Sequence, residues 1–373
     1  MVTYCQRCVM PDTRPGEWKT LAEPFDKDGV CVACRNYEKR KTINWDARWK
    51  LLEDTCNKYR KSDGNYDCVI PVSGGKDSTF LVYTMREVLG MNPLLVNVSD
   101  PFTHTKAGEA NLHNVSDTFN CDVVQFRISE DLFRRAARSN FEEFLEPLIL
   151  VEAAIYTIPL AMAMRYKIPF LVQGEDPNYE YGSTEKDSPT LNRHYEKILN
   201  AAGLDFWTKR GFSERELNCL VLPNDTLGDT HAIPMSYYVP WNDYEHMELA
   251  KRWGFRDLAH EWKREYAFED FNQIDSQGWV VDLWCKWPKF GYARATDIAC
   301  RWIRESRITR DEALRITKEK DPILDEVAFR DFLDFTGYSV REFWSTVEKF
   351  WNPMLFEKKN GIWKLRCNDG SLE

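Results

Sequence analysis

A glycine-rich turn between an apolar run and an amphipathic segment constrains the fold of this chain more than any other stretch. Residues 68–72 have no polar alternation, which is typical of a strand covered on both faces of a parallel sheet. The turn at 73–78 follows, and apolar side chains then recur at helical spacing from Phe80 to Val88, with Gly90 placed to end the helix. Such a strand, turn and helix start form an anion site, because free N–H groups converge there and the helix dipole favours negative charge.

The spacing inside this turn indicates which anion site it resembles. It lacks the Walker A pattern and resembles the S-G-G-x-D-S loop of the PP-loop ATP pyrophosphatases, which include NAD synthetase and the tRNA thiolases. The resemblance implies that the loop holds the pyrophosphate released when ATP adenylates a carbonyl oxygen. The implied roles are pyrophosphate binding by Ser73, Gly74, Gly75 and Ser78, magnesium binding by Asp77, and supplementary charge from Lys76. An ordinary glycine turn with a serine cap is the alternative.

Four of the eleven cysteines form two C-x-x-C pairs, Cys5 with Cys8 and Cys31 with Cys34, separated by 22 residues. This spacing predicts a tetrahedral zinc site whose four thiolates close the coordination shell, so that the metal stabilises the fold without taking part in catalysis. A redox-active pair is the alternative, although it would need only one C-x-x-C. The remaining cysteines show no ligand spacing and are interpreted as core or surface residues.

Strand and helix patterns alternate after the loop. Apolar runs lie at 93–98, 121–126 and 170–173, helical patterns lie at 107–119 and 144–166, and 235–239 is interpreted as a last strand. The alternation predicts an α/β fold, a doubly wound parallel sheet of the PP-loop, HUP-like type, with an N-terminal zinc knuckle and a helical C-terminal region. Ligands lie beyond the carboxyl ends of such strands. Three walls of one site are therefore expected, at 73–78, 100–105 and 174–181.

Candidate site residues beside the loop are Asp100, His104, Gly174 and Glu175. Asp100 is predicted to meet the adenosine, although the proline after it would also suit a residue that only opens a turn. His104 lies among hydroxyls and could equally be a satisfied surface histidine. Glu175 and Asp176 form an acidic pair at a strand end facing the phosphate loop, which favours a functional role.

A basic pair, Lys289 and Arg294, precedes a predicted helix that runs through Arg304. Two cations just ahead of a helix could clamp pyrophosphate. A solvated charged turn is the alternative, and the sequence pattern does not decide between them.

Charge and hydropathy limit the partners of the chain. A formal net charge of −9 argues against a phosphate-backbone binder, so no nucleic acid is expected. No apolar stretch is long enough to span a membrane, and the N-terminus has no apolar signal region, so a cytoplasmic protein is expected. Three regions are predicted: a zinc-binding segment and linking helix at 1–60, a PP-loop domain at 61–245, and a mainly helical region at 246–373 that completes the site.

Motifs along almost the whole chain resemble those of the N-acetyl sugar amidotransferases of bacterial surface-polysaccharide (O-antigen and flagellar sugar) biosynthesis. They lie at 5–16 (CQRCVMPDTRPG), 73–78 (SGGKDS), 102–105 (FTHT), 179–182 (YEYG), 289–297 (KFGYARATD) and 308–313 (ITRDEA). One departure is Asp176, where Asn is expected after Gly-Glu.

The resemblance implies conversion of an acetamido group on a nucleotide-linked sugar into an acetamidino group. ATP would adenylate the amide oxygen, and ammonia would then displace AMP. The implied catalytic residues are Asp77, Lys76, Lys289, Arg294, Glu175 and His104. With the zinc site included, the expected cofactors are ATP, Mg2+ and Zn2+.

The source of ammonia is missing from this chain. Val2 follows Met1, so no N-terminal cysteine nucleophile is available, and no cysteine sits in a G-x-C-x-G elbow. The resemblance therefore implies separate glutaminase and ammonia-channel subunits, similar to those of imidazole glycerol phosphate synthase. A zinc-containing PP-loop tRNA thiolase is the rival interpretation, and it would need a basic face and a catalytic cysteine pair near the loop. A nucleotide-binding scaffold without catalysis is a third, which an intact loop disfavours.

Overall fold

A parallel sheet of five strands forms the centre of the molecule. In the computed structural model, the described residues are 2–14, 25–175, 179–180, 182, 187–222 and 228–366. The strands of this sheet are β1 (Cys68–Pro71), β2 (Pro93–Ser99), β3 (Val123–Arg127), β4 (Phe170–Gln173) and β5 (His231–Pro234). Their order is β3-β2-β1-β4-β5, and every neighbouring pair is parallel. The predicted parallel sheet is confirmed, and the order reverses direction at β1, the strand that carries the loop.

Helices pack around this sheet, and a further group of helices follows in the C-terminal part of the chain. They are α1 (Val32–Arg40), α2 (Trp45–Tyr59), α3 (Lys76–Tyr83), α4 (Lys106–Phe119), α5 (Glu130–Phe144), α6 (Ile149–Arg165), α7 (Asn192–Ala202), α8 (Leu204–Thr208), α9 (Met235–Tyr238), α10 (Asp243–Arg252), α11 (Trp279–Phe290), α12 (Arg294–Arg304), α13 (Arg310–Lys320), α14 (Glu326–Thr336) and α15 (Val340–Val347). A single π turn, Thr84–Val88, continues α3, and a hairpin of β6 (Phe356–Lys359) and β7 (Ile362–Leu365) follows α15.

Alternate residues of the strands enter two different hydrophobic clusters. Val69 and Leu171 pack with α6 on one face, whereas Ile70 and Val172 pack on the other face with α3. Both faces are therefore covered, which explains why the strands show no polar alternation. The doubly wound arrangement predicted from that pattern is confirmed.

The cluster around α6 continues into the C-terminal helices. Val281 and Trp284 of α11, Phe332 of α14 and Phe343 of α15 belong to the same cluster as the residues of the sheet. Helices α11, α14 and α15 therefore share a hydrophobic core with the sheet. The predicted division of the chain at residue 245 stays a prediction.

Two predicted elements differ from the structure. The helix predicted at 144–166 is divided: α5 ends at Phe144, Leu145 adopts a left-handed conformation at φ +53°, and α6 begins only after Pro147. The last strand was placed wrongly at 235–239. It lies at His231–Pro234, because Pro234 offers no N–H to continue the ladder, and α9 follows.

Within the described residues, no helix combines the length and the apolar character needed to cross a bilayer.

Candidate active site

The glycine loop lies at the carboxyl end of β1, where it turns into α3. Gly74 has φ +86°, and a Cβ added there would lie 2.7 Å from the backbone nitrogen of Leu112, so only glycine fits. The Oγ of Ser78 accepts a hydrogen bond from the Ser73 N–H at 3.0 Å, and the Oγ of Ser73 accepts one from the Gly75 N–H at 3.2 Å. The two hydroxyls and the loop backbone thus converge on one small, solvent-facing turn, as an anion site requires.

Lys76 points into the protein. Its side chain is buried, and Nζ donates to Asp77 Oδ2 at 2.7 Å and to Asn272 Oδ1 at 2.8 Å. Burial works to lower the pKa of the ammonium, but the charges of Asp77 and Asp243 outweigh it and raise that pKa. Lys76 therefore stays charged behind the loop and supplies positive potential from there.

Asp77 is held on both carboxylate oxygens. Oδ2 accepts from Lys76, and Oδ1 lies 2.7 Å from Nδ1 of His246. Burial works to raise the pKa of this carboxyl, yet the Lys76 ammonium and His246 together hold it below its usual range. The side chain remains 32% exposed, and each oxygen keeps lone pairs beyond its one protein donor, so Asp77 fits the predicted role of magnesium ligand.

Behind the loop lie four buried polar residues that the sequence analysis missed, Asp243, His246, Asn272 and Arg301, beside the partly buried Glu180 of the predicted third wall. Arg301 forms an ion pair with Glu180 at 2.6 Å and lies 3.9 Å from Asp243. Neither carboxylate oxygen of Asp243 accepts a hydrogen bond from the described residues. Burial opposes ionisation of Asp243, but Arg301 and Lys76 hold its pKa below the usual range. The available sequence signal was Asn242 as a helix cap, followed by polar residues within an aromatic-rich region.

The second predicted wall is held mainly by contacts within the chain. Asp100 is buried and accepts from the Phe102 N–H at 2.9 Å and from the Ser276 hydroxyl at 3.0 Å. This is the turn-opening role that the sequence allowed, and contact with adenosine stays a prediction. Nε2 of His104 lies 2.8 Å from the Asp100 carbonyl oxygen and 3.3 Å from Ser99 Oγ, so His104 fastens the same turn.

The third wall brings an acid with an altered pKa toward the loop. A Cβ on Gly174 would lie 3.2 Å from Leu81 and 3.3 Å from Trp241, so β4 approaches α3 closely there. The Glu175 carboxylate accepts a hydrogen bond from the Tyr156 hydroxyl. Burial raises the pKa of Glu175 to about 7, against the opposing effect of that hydrogen bond, and the charges of Glu180 and Asp77 raise it further. Asp176 and the departure noted there lie outside the described residues.

The predicted basic pair is engaged elsewhere. Lys289 lies inside α11 and forms an ion pair with Glu146 at 2.7 Å, between α5 and α6. Arg294 begins α12 and lines a small cavity with Tyr266, Trp284 and Asp321. Gly291 ends α11 between the two residues. Their contacts among the described residues are with groups outside the loop, and their role as a pyrophosphate clamp stays a prediction. Arg301 lies one turn before the end of α12. Its positive charge acts electrostatically on the Lys76 ammonium.

The two C-x-x-C pairs form one buried cluster. The four sulfur atoms lie within 4.8 Å of one another, and Sγ of Cys8 and Cys31 are 3.7 Å apart. Tetrahedral Zn–S bonds of about 2.3 Å would separate the sulfurs by roughly 3.8 Å, so the cluster fits a single tetrahedral metal ion. A 4Fe-4S cluster fits less well, because each thiolate then binds a different iron and the sulfurs lie farther apart.

The knuckle also packs against the third wall. Cys31 caps α1, on which Tyr37 stacks on Tyr179 with ring centroids 5.3 Å apart. A Cβ on Gly182 would lie 2.8 Å from the Ala33 nitrogen. Helix α1, which begins at the cysteine cluster, is therefore in direct contact with Tyr179 and Gly182.

Residues 264–367 match the family model described as LPS biosynthesis protein WbpG-like, C-terminal domain. The C-terminal region is similar to that of WbpG-like LPS biosynthesis proteins. It is the region that supplies Asn272 and Arg301 to the group behind the loop.

Other similarities are more distant. The uncharacterized protein MJ1599 of Methanocaldococcus jannaschii is 26% identical over 145 residues, which make up 39% of this chain and 52% of that protein. The match thus spans about half the length of that curated relative.

Three solved structures are similar at low identity. The NH3-dependent NAD synthetase of Campylobacter jejuni has a TM-score of 0.30 and 16% identity, over 46% of this chain and 79% of that one. The NMN synthetase of Francisella tularensis has a TM-score of 0.31 and 11% identity, over 83% of this chain and 95% of that one. The U34-tRNA thiolase NcsA of Methanococcus maripaludis, solved with its 4Fe-4S cluster, has a TM-score of 0.33 and 13% identity, over 91% of this chain and 97% of that one. At these TM-scores the likeness adds nothing to the evidence of the sheet order and the loop.

Proposed function

We propose that this chain is an ATP-dependent amidotransferase that converts the acetamido group of a nucleotide-linked sugar into an acetamidino group. The observation that carries the proposal is the loop at 73–78, whose Asp77 and Lys76 contact His246 and Asn272. Asn272 belongs to the region similar to LPS biosynthesis proteins, so the anion site and that region form one unit.

The first half-reaction activates the amide. Its carbonyl oxygen attacks the α-phosphorus of ATP, the bond from that phosphorus to the oxygen bridging the β-phosphate breaks, and pyrophosphate leaves. The amide nitrogen keeps its proton, so the other product is a cationic, N-protonated O-adenyl imidate. Backbone N–H groups and hydroxyls of the loop would hold the departing pyrophosphate, and Lys76 would add positive potential from behind. A magnesium ion bound at Asp77 would supply charge neutralisation for the phosphates.

The second half-reaction replaces the activated oxygen with nitrogen. Neutral ammonia adds to the imidate carbon, the bond from that carbon to the adenylate oxygen breaks, and AMP carries the former amide oxygen away. The attacking nitrogen must lose a proton, and Glu175 is the residue we assign to accept it. Its pKa of about 7 suits proton transfer near neutral pH, and it lies close enough to Asp77 to feel that charge.

Oxygen-18 labelling tests the proposal directly. The wild-type chain would be incubated with ATP, Mg2+, ammonia and UDP- or CMP-linked acetamido sugars carrying 18O in the acetamido carbonyl. We expect the label to appear in AMP and the sugar to gain NH in place of oxygen, both measured by mass spectrometry. AMP without label, or an unchanged sugar in every member of the panel, would count against the reaction.

A tRNA thiolase would use reactive cysteines near the loop. Outside the knuckle, the described cysteines are buried, and burial raises the pKa of Cys68 and Cys121, the latter to about 11. These thiols are poor nucleophiles, so the amidotransferase is the better supported proposal. Copurification of tRNA with the chain is the observation that would favour the thiolase.

A further inference from the structure

The ring of His246 is held in one orientation by aromatic side chains on two sides. It stacks on Phe80 at a centroid distance of 3.9 Å and an interplanar angle of 15°, and Trp241 meets it edge-on at 4.4 Å and 83°. The side chain is only 2% exposed. Asn242 caps α10 by accepting from two N–H groups of its first turn, which also fixes the backbone at His246.

This ring has one polar partner among the described residues. Nδ1 lies 2.7 Å from Asp77 Oδ1, whereas Nε2 is buried and makes no hydrogen bond there. An ionised carboxylate can only accept, so Nδ1 carries the proton and donates it. The polar function of His246 in the described part of the chain is thus directed at Asp77 alone.

The Asp77 carboxylate is gripped from its buried side. Lys76 holds Oδ2 and His246 holds Oδ1, both at 2.7 Å, and both donors are almost completely buried. With one donor on each oxygen, the carboxylate cannot rotate about its own axis without breaking a hydrogen bond. Its remaining lone pairs therefore point to the exposed side, where the glycine loop lies.

We propose that His246 is a positioning residue that fixes the Asp77 carboxylate for a magnesium ion bound with ATP. The inference rests on the proposed function, because it assumes that this loop binds MgATP. Hydrogen bonds that orient a metal-binding carboxylate commonly contribute 10- to 100-fold to metal affinity. We expect a contribution of about that size here.

Two substitutions separate positioning from simple packing. His246→Phe keeps an aromatic ring between Phe80 and Trp241 but removes the donor to Asp77. His246→Asn loses much of the ring but places an amide N–H near the position of Nδ1. A positioning role predicts that the asparagine variant keeps Mg2+ affinity and the phenylalanine variant loses it, whereas a packing role predicts the reverse.

The measurement is ATP binding by calorimetry across a Mg2+ titration, with the full-length chain and without sugar or ammonia. We expect His246→Phe to raise the half-saturating Mg2+ concentration about 10- to 100-fold and His246→Asn to stay close to the wild type. Thermal unfolding of each variant reports packing separately. Wild-type Mg2+ dependence in the phenylalanine variant would overturn the inference. If the asparagine variant does not fold, the Mg2+ dependence of the phenylalanine variant alone decides. His246→Leu replaces the phenylalanine variant if the latter does not fold.

A double-mutant cycle tests whether His246 acts through Asp77. In an Asp77→Asn background, His246→Phe should cause no further loss of Mg2+-dependent ATP binding. An additional tenfold loss would show that His246 acts by another route and would overturn the inference. The binding measurement needs neither sugar nor ammonia. A chain that binds MgATP but forms no amidine would therefore contradict the proposed function and leave the inference about His246 standing. A wild-type chain that does not bind MgATP overturns both.

Discussion

Nζ of Lys76 lies 2.8 Å from Oδ1 of Asn272, although 196 residues separate the two in the chain. This contact joins the glycine loop to the region that matches the C-terminal domain of WbpG-like proteins. A buried ammonium needs acceptors, and Asp77 and Asn272 are the two that Lys76 has in the described residues. Lys76 of the loop therefore depends on the C-terminal region for one of these two hydrogen-bond acceptors.

Replacement of Asn272 by alanine should weaken both stability and nucleotide binding. The buried Lys76 ammonium would lose one of its two acceptors, which costs about 1–3 kcal/mol of unfolding free energy. Denaturant unfolding and MgATP titration measure the two effects. The exposed Asn57→Ala serves as a control and should change neither. Unchanged stability and MgATP binding in Asn272→Ala would contradict the assigned contact.

Arg301 and Lys289 should behave differently when their charges are altered. Arg301→Lys removes the guanidinium whose Nη1 pairs with Glu180 and lies beside Asp243, so we expect the KM for ATP to rise about tenfold or more. Lys289→Met removes the ion pair between Lys289 and Glu146, so we expect lower stability with an unchanged KM. A larger KM change in Lys289→Met than in Arg301→Lys would support the sequence-based interpretation of Lys289 as a phosphate clamp.

The pH dependence of turnover should report Glu175. If its ionised form accepts a proton from the attacking nitrogen, the rate rises as pH increases through about 7. Stability changes in the opposite sense. The Glu175 carboxyl keeps its proton to a higher pH in the folded state than in the unfolded state, where its pKa is near 4.5. The contribution of Glu175 to the stability of the fold is therefore lost as the pH rises from about 4.5 through 7.

Glu175→Gln assigns that pH profile. Burial also raises the pKa of Asp275 to about 7, so a wild-type profile alone does not identify the group. The glutamine variant should be slow and should lack the rise near pH 7 when ammonia is saturating. A variant that keeps the wild-type profile would remove Glu175 as the proton acceptor.

The cluster of Cys5, Cys8, Cys31 and Cys34 should influence the active site as well as the fold. We expect one zinc per chain in the wild type and its loss in Cys31→Ser, measured by elemental analysis. Because α1 starts at the knuckle and Tyr37 stacks on Tyr179, the variant should also change the near-ultraviolet circular dichroism and weaken MgATP binding. Cys56→Ser is the matched control, since it alters a buried cysteine outside the knuckle. A metal-free wild type would contradict the assignment.

The sequence predicts the parts of this fold that local patterns encode. Continuous apolar runs gave the strands, and the glycine loop gave the position where β1 ends. The linking helix predicted within residues 1–60 corresponds to α2, which Asn44 caps. The error at 235–239 arose because aromatic and β-branched residues suit a strand, while Pro234 decides where the ladder stops.

The partners of the loop could not be predicted in this way. His246 and Asn272 reach the loop from 169 and 196 residues away along the chain, and Arg301 lies beside Asp243 behind it. No local pattern marks any of the three. Lys289 and Arg294 had the right charge and a suggestive spacing, but Gly291 turns the chain between them. Charge and spacing indicate candidates, whereas burial and topology determine which of them meet.

The isolated chain should depend on free ammonia as its nitrogen source. Glutamine alone should not support turnover by the isolated chain, because the described cysteines outside the knuckle are buried and none has the local sequence of a glutaminase nucleophile. Free ammonia at high concentration and alkaline pH should restore activity, since only the neutral amine attacks the imidate carbon. Addition of a glutaminase and a channel-forming subunit should then allow glutamine to be used near neutral pH. AMP formation with each nitrogen source measures these outcomes.

Two results would contradict that expectation. Stoichiometric consumption of glutamine and ATP by the chain alone would mean that it contains a nucleophile, and Cys219 and Cys285 would be the first residues to replace. Both are buried, and burial raises the pKa of Cys219 to about 11, so replacement by alanine should leave ammonia-dependent turnover intact if neither acts. Failure with both ammonia and partner subunits, together with activity on tRNA and a sulfur donor, would instead identify a thiolase.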